Sequence, residues 1–170
     1  MFIFGTRPEA IKMAPIIKAM ENNNHFQKII VVTGQHREML DQALSDFKIV
    51  PDYDLHLMKK EQTLSNITID VIKSLGKIFE KDKPDIVLVH GDTATTFAAS
   101  VSAFYHKIII GHVEAGLRTW NKYSPFPEEM NRRLTDTLAD LYFAPTIQSQ
   151  ENLILEHHNR NNIFVTGNNN

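Results

Sequence analysis

The chain contains no cysteine in its 170 residues, so it cannot build a disulfide framework, a thiolate zinc site, an iron–sulfur cluster or a cysteine nucleophile. No apolar run approaches the roughly 18 to 20 residues of a membrane span. Met1 leads at once into strand-like sequence, not into a charged n-region and an apolar h-region, so the expectation is a soluble cytoplasmic protein with no membrane partner. Neither sign of charge dominates, because 18 Lys and Arg against 20 Asp and Glu leave a formal charge of -2. Like charges do not collect into blocks, which argues against a nucleic-acid partner. Both Gly-x-Gly-x-x-Gly and the Walker pattern are missing, which argues against NAD and a P-loop phosphate site. What remains is 42% hydrophobic residues, enough for one domain with its own core.

Short runs rich in Ile, Val and Phe alternate with longer segments of helical period from end to end. The apolar runs are residues 1–4, 29–33, 86–89, 108–113, 141–144 and 163–165, with a weaker one at 53–57. Most are continuously apolar, as strands buried on both faces should be. The helix candidates are residues 8–20, 37–47, 64–81, 93–105, 128–139 and 147–156. This rhythm predicts an α/β, Rossmann-like doubly wound parallel sheet with right-handed crossovers. Pro51, Pro84 and Pro145 fall at predicted boundaries, but Pro15 sits inside the first helix and should kink it or split off a short turn. The Asn run at 168–170 reads as a frayed terminus.

Ligands of a doubly wound sheet sit beyond the carboxyl ends of the strands, so the polar residues after each apolar run are the candidates. Four sets qualify: Gly5-Thr6-Arg7-Pro8-Glu9, Gly34-Gln35-His36-Arg37, His90-Gly91-Asp92-Thr93 and Glu114-Ala115-Gly116-Leu117-Arg118. Arg7 and Lys12 lie at a helix start, where the macrodipole disfavours a cation by a few tenths to about 1 kcal/mol. A docked phosphate would offset this; solvated side chains partnered by Glu9 are the ordinary alternative. Asp92 is either functional or the N-cap of the next helix. Glu114 ends a strand at the ligand edge, which favours function. Glu128 and Glu129, each with an Arg four residues on, read by themselves as a helix start with i,i+4 pairs. Together, three carboxylates beside two cations suggest proton transfer at a carbon or hydroxyl of an anionic substrate. Metal ligation by His90, Asp92, His112 and Glu114 competes, and it requires the fourth strand to persist through Gly91. His157 and His158 read as a solvated pair, and Trp120 and Tyr123 either line the site or cover core.

The segments Phe4-Gly5-Thr6-Arg7-Pro8-Glu9-Ala10-Ile11-Lys12, Gln35-His36-Arg37-Glu38-Met39-Leu40, Val89-His90-Gly91-Asp92-Thr93, Gly111-His112-Val113-Glu114-Ala115-Gly116-Leu117-Arg118 and Pro127-Glu128-Glu129-x-Asn131-Arg132 are ordered along the whole chain. In order and spacing they resemble the non-hydrolysing UDP-N-acetylglucosamine 2-epimerase family. The resemblance implies the N-terminal half of a glycosyltransferase-B type fold, with a UDP-binding C-terminal domain absent from this chain. It implies a UDP-sugar substrate, no metal or redox cofactor, a homodimer, and near-inactivity of this domain alone. The family's acid/base carboxylates map onto Asp92, Glu114 and Glu128, and its substrate cations onto Arg7 and Lys12. An activating second UDP-N-acetylglucosamine would sit beside Gln35, His36 and Met39, although Glu38 and Glu61 depart from that pattern. The expected activity interconverts UDP-N-acetylglucosamine and UDP-N-acetylmannosamine for bacterial surface polysaccharide synthesis. A hydrolysing relative, a glycosyltransferase of the same fold and a non-catalytic sugar-nucleotide sensor are the alternatives.

Overall fold

The computed structural model describes residues 1–21, 23–34, 37–57 and 62–167, apart from the side chain of Arg37. The expectations placed on Gln35, His36, Glu61 and Asn168–Asn170 lie outside these residues. Strands β1 (Phe2–Phe4), β2 (Ile30–Val32), β3 (Tyr53–Asp54), β4 (Ile86–His90), β5 (Ile109–Val113), β6 (Leu141–Ala144) and β7 (Ile163–Val165) form one sheet. All pairings are parallel, in the order β3-β2-β1-β4-β5-β6-β7. The order reverses between β1 and β4, which is the switch point of a doubly wound Rossmann-like sheet. Each strand lies within two residues of its predicted run, except that the weak third run contracts to two residues.

Alternation along the strands divides the core between two faces. Phe2, Phe4, Ile30, Val32 and Leu88 pack beneath helices α1 (Arg7–Met20) and α2 (Arg37–Asp46). Ile3, Val31, Val87 and Val89 face the other way, toward α3 (Leu64–Asp82), α4 (Ala94–Tyr105) and α6 (Ile147–Leu155). Ala139, which ends α5 (Glu128–Leu138), joins this second layer. Phe4 and Ile3 are wholly removed from solvent, and each such side chain contributes about 1.5–3 kcal/mol of transfer free energy.

Pro15 does not split the first helix: α1 runs unbroken through it. The ring lies on the exposed side of the helix, where water can take the carbonyl of Ile11 that a Pro cannot bond. At the other end of the chain a short 3-10 turn, Arg160–Asn162, separates α6 from β7.

Candidate active site

The amino end of α1 carries a capping box. Thr6 is the N-cap, its hydroxyl accepting from the Glu9 amide, and Glu9 reaches back to the cap. Glu9 Oε2 accepts from the amides of Gly5 at 2.8 Å and Thr6 at 2.7 Å, and from the Thr6 hydroxyl at 2.9 Å. Its Oε1 accepts from the hydroxyls of Thr93 at 2.7 Å and Thr96 at 3.1 Å. Burial pushes its proton affinity up, and these donors oppose the shift. Glu9 is therefore the clamp between the β1 and β4 turns, not a surface partner of Arg7 or Lys12. The Thr-x-x-Glu spacing was the sequence signal for it. Arg7 stands exposed at the first position of α1, and Lys12 lies about one turn further on.

At the end of β4 the backbone leaves the strand through Gly91, at φ +69°, a left-handed conformation that glycine adopts without steric penalty. The strand ends at His90, so the continuation through Gly91 that the metal reading requires is not present. Thr93, not Asp92, caps α4, its hydroxyl accepting from the Thr96 amide at 3.1 Å. Asp92 is thus free of the capping role. Its carboxylate lies 3.2 Å from Arg132, and its backbone carbonyl accepts from Asn131 at 2.9 Å. Burial raises the proton affinity of Asp92, Arg132 opposes this, and the charge of Glu128 adds to the rise.

Glu114 follows β5 at φ +68°. With Lys12, His90, Phe143 and Thr166 it lines a cavity of about 280 Å3. Its Oε2 lies 3.5 Å from His90 Nε2. Burial pushes the Glu114 carboxyl up, Lys12 opposes, and Asp92 adds to the rise. Burial pushes His90 down to about 3, assisted by the nearby charges of His112 and Lys12, so its ring is neutral at physiological pH.

Helix α5 completes the arrangement with an unusual burial pattern. Glu129, Asn131, Arg132, Thr135 and Asp136 are buried while Leu134 is exposed. Glu129 accepts from the amides of Thr119 and Trp120, each at 3.0 Å, and fixes the loop between β5 and α5. Arg132 turns to Asp92 and Glu129, and Arg133 to Glu156, in place of the expected i,i+4 pairs. Asp136 bridges His112 at 2.6 Å and Arg118 at 2.7 Å, and Arg118 continues to Glu156. Burial alone would raise the Asp136 proton affinity; His112 and Arg118 outweigh it and hold the carboxyl below the usual carboxylate range.

The structure thus gathers Lys12, Asp92, Glu114 and Glu128 along the carboxyl edge of β4 and β5. Met39 stands exposed on the first turn of α2, while its proposed companions Gln35 and His36 are not described. The metal reading loses His112, because both its ring nitrogens are engaged by Asp136 and the Gly91 carbonyl. Among the described residues no group of three or more metal-ligating side chains is assembled. His158 is not solvated: its Nδ1 meets the Tyr142 hydroxyl at 2.9 Å and its ring lies against that of Tyr142. Trp120 and Tyr123 are exposed, with Trp120 beneath the Arg133 guanidinium. Glu9 and Glu129 were expected only as salt-bridge partners, and Asp136 and Glu156 were not singled out. Of these, only Glu9 had a local signal.

No helix among the described residues is long and apolar enough to cross a membrane. The sheet and its helices superpose on a crystal structure of UDP-GlcNAc 2-epimerase from Neisseria meningitidis bound to UDP-GlcNAc, with a TM-score of 0.94 and 57% identity over 98% of this chain and 46% of that one. A lipopolysaccharide outer-core galactosyltransferase, only 13% identical, shares the fold alone at a TM-score of 0.66. The architecture is accordingly the N-terminal half of a glycosyltransferase-B type fold. In sequence the chain is 58% identical to the UDP-N-acetylglucosamine 2-epimerase of Bacillus subtilis, across 99% of its own length and 44% of that protein's. It spans less than half of the curated relatives that it matches. The profile of the UDP-N-acetylglucosamine 2-epimerase family matches residues 18–170, and with that match the chain belongs to this family.

Proposed function

We propose that this chain supplies the acid/base half of an enzyme that inverts C2 of UDP-N-acetylglucosamine without hydrolysing it. The observation that carries the proposal is a pair of carboxyls, Asp92 and Glu114, both pushed above the ordinary range at the ends of adjacent strands. Carboxyls tuned upward hold and release protons nearer neutral pH, and two of them permit one acid and one base.

In the proposed reaction a carboxylate removes the C2 proton as the C1–O bond to the diphosphate breaks. The bonding pair of C1–O leaves with UDP, and the C2–H pair becomes the C1=C2 bond of a 2-acetamidoglycal. Return of UDP to C1, and of a proton to the opposite face of C2, gives UDP-N-acetylmannosamine. Lys12 and Arg7 would meet the negative charge that grows on the departing diphosphate, while Glu128 acts on Asp92 as a neighbouring negative charge. Support for a UDP-sugar comes from two relatives, the Neisseria enzyme bound to UDP-GlcNAc and a Methanocaldococcus jannaschii enzyme in complex with UDP-GlcNAc and UDP.

A second domain would close the cleft, excluding water and completing diphosphate capture, so residues 1–170 alone should turn over very little. Proton NMR of UDP-N-acetylglucosamine in D2O tests this. The complete enzyme should replace the C2 proton by deuterium and yield the manno epimer with UDP still attached. Free N-acetylmannosamine plus UDP would identify the hydrolysing reaction instead, and sugar-nucleotide binding without C2 exchange would overturn the proposal.

A further inference from the structure

Among the described residues, His112 is a histidine whose charge follows from its hydrogen-bonding pattern. It lies in β5, fully buried, with Nδ1 2.6 Å from Asp136 Oδ1 and Nε2 2.7 Å from the Gly91 carbonyl oxygen. A peptide carbonyl can only accept. Asp136 also takes the Arg118 guanidinium and the Gly116 amide on Oδ2, so it too is an acceptor. Both ring nitrogens must then donate, which makes the ring an imidazolium. A buried cation is tolerable here because Asp136 is its counter-ion and both of its protons are bonded.

The three elements that carry the proposed acid/base residues meet at this ring. Gly91 immediately precedes Asp92, and its peptide is held on both sides by β5: its carbonyl accepts from His112, and its amide donates to Val113 at 3.0 Å. Glu114 lies two residues beyond His112 on the same segment. Asp136 belongs to the helix that begins at Glu128 and sends Arg132 to Asp92. His112 also faces charged and titratable groups from every element packed around it. His90 comes from β4 and Asp92 from the turn after it, Glu114 and Arg118 from the segment after β5, Arg132 and Asp136 from α5, and Tyr142 from the paired position on β6. Lys12 adds its charge from α1, acting on the same His90 and Glu114.

We propose that His112, doubly protonated between Asp136 and the Gly91 carbonyl, is the positioning residue that sets the separation and charge of the Asp92 and Glu114 carboxyls for proton transfer at C2. It touches no reacting atom. It acts by fixing the turn from which Asp92 projects, and by placing a positive charge near both carboxyls. The inference rests on the epimerase reading given above.

Two measurements on the complete enzyme test it. In 15N-histidine NMR, taken under the conditions of the activity assay, the His112 ring nitrogens should both show the protonated signature; a neutral ring overturns the proposal, whatever the activity. In His112→Gln, which can keep one donor but not the charge, kcat should fall about a hundredfold, the scale of a small misplacement of reacting groups, with KM changed less than about threefold. Removing a cation raises the proton affinity of the neighbouring carboxylates, so the acid limb of the pH–rate profile should move to higher pH. An acid limb that stays in place, or a rise in KM at unchanged kcat, refutes the positioning role. Should His112→Gln not fold, Asp136→Asn reports on the same pair, because loss of the counter-ion should release a ring proton that NMR detects; retention of both protons would count against the inference. Absence of C2 exchange in the wild-type enzyme overturns the epimerase reading, and the catalytic purpose proposed here falls with it. A neutral ring in an active enzyme overturns the positioning proposal alone.

Discussion

Glu9 offers the clearest test of how the turns around the site are held. Glu9 is 2% exposed, and its carboxyl joins the amides of Gly5 and Thr6 to the hydroxyls of Thr93 and Thr96. The two amides aim at Oε2 and cannot turn away, whereas the hydroxyls on Oε1 can rotate. Glu9→Leu strands both amides; at roughly 1–3 kcal/mol for each buried donor left unmade, the loss should be about 2–6 kcal/mol. Glu9→Gln behaves differently. Its amide oxygen can take the Oε2 position, and its NH2 group can donate to a rotated threonine hydroxyl, so it copies the protonated carboxyl and should cost about 1 kcal/mol or less. The pH dependence separates the two states further. Folding raises the Glu9 proton affinity above its ordinary 4.5, so the native state binds more protons than the unfolded chain. That contribution is complete below 4.5 and is lost as pH rises through the folded value. The Gln variant should therefore gain on the wild type as pH rises from 4 to 8. Urea unfolding followed by circular dichroism at several pH values measures all three proteins. A Leu variant as stable as the wild type would refute the claim that the amides depend on Glu9, and a pH-independent gap between Gln and wild type would refute the burial argument.

Other outcomes are expected from the same energetics. Gly116→Ala should cost about 2–5 kcal/mol in urea unfolding, because φ is +85° and a Cβ would press into the Ser149 carbonyl oxygen, which is backbone and cannot yield. Arg132→Met should lower stability by about 1–3 kcal/mol. By removing the cation 3.2 Å from Asp92, it should also shift the acid limb of activity toward higher pH, and a pH–rate profile decides both its presence and its sign. Asp136 has the opposite linkage to Glu9. Its folded proton affinity lies below the ordinary 3.8, so its contribution is present above 3.8 and is lost as pH falls through the folded value. Acid unfolding of Asp136→Asn should accordingly lack that low-pH component.

The strands and helices could be read from the sequence because apolar runs of strand length and segments of helical period report burial directly. Six of the seven strands and all six helices begin and end within a residue or two of where periodicity places them. The strand-end rule also placed Asp92 and Glu114 at one edge, since position after an apolar run is a local property. Partner assignment is not local. Asp92 looked like a helix cap because Asp often is one, yet Thr93 one residue later has the extended backbone and the hydroxyl that the cap requires. Arg132 looked like a partner for Glu128 four residues back, but the turn of helix that carries it faces the β4 edge and brings Asp92 within reach.

Helix α5 shows why such misassignments cluster at the site. Apolar periodicity alone would bury Met130, Leu134 and Leu138, spaced four residues apart. The helix instead exposes Leu134 and turns Glu129, Arg132 and Asp136 inward, and those three are also spaced for one face. A helix seated by charges has a different energetic character from one seated by methyl groups. Each buried ion needs its partner, so α5 can occupy only the position in which Glu129 meets the 119–120 amides, Arg132 meets Asp92, and Asp136 meets His112 and Arg118. Apolar contact would tolerate a small slide of the helix; this set of pairings would not. Seating α5 therefore sets the charge environment of Asp92 in the same act, through Arg132 at 3.2 Å and through Glu128 at the head of the helix. The local rule of amphipathicity fails at the one helix where packing and proton affinity are the same interaction, which is where a departure from consistent patterning is expected to mark function.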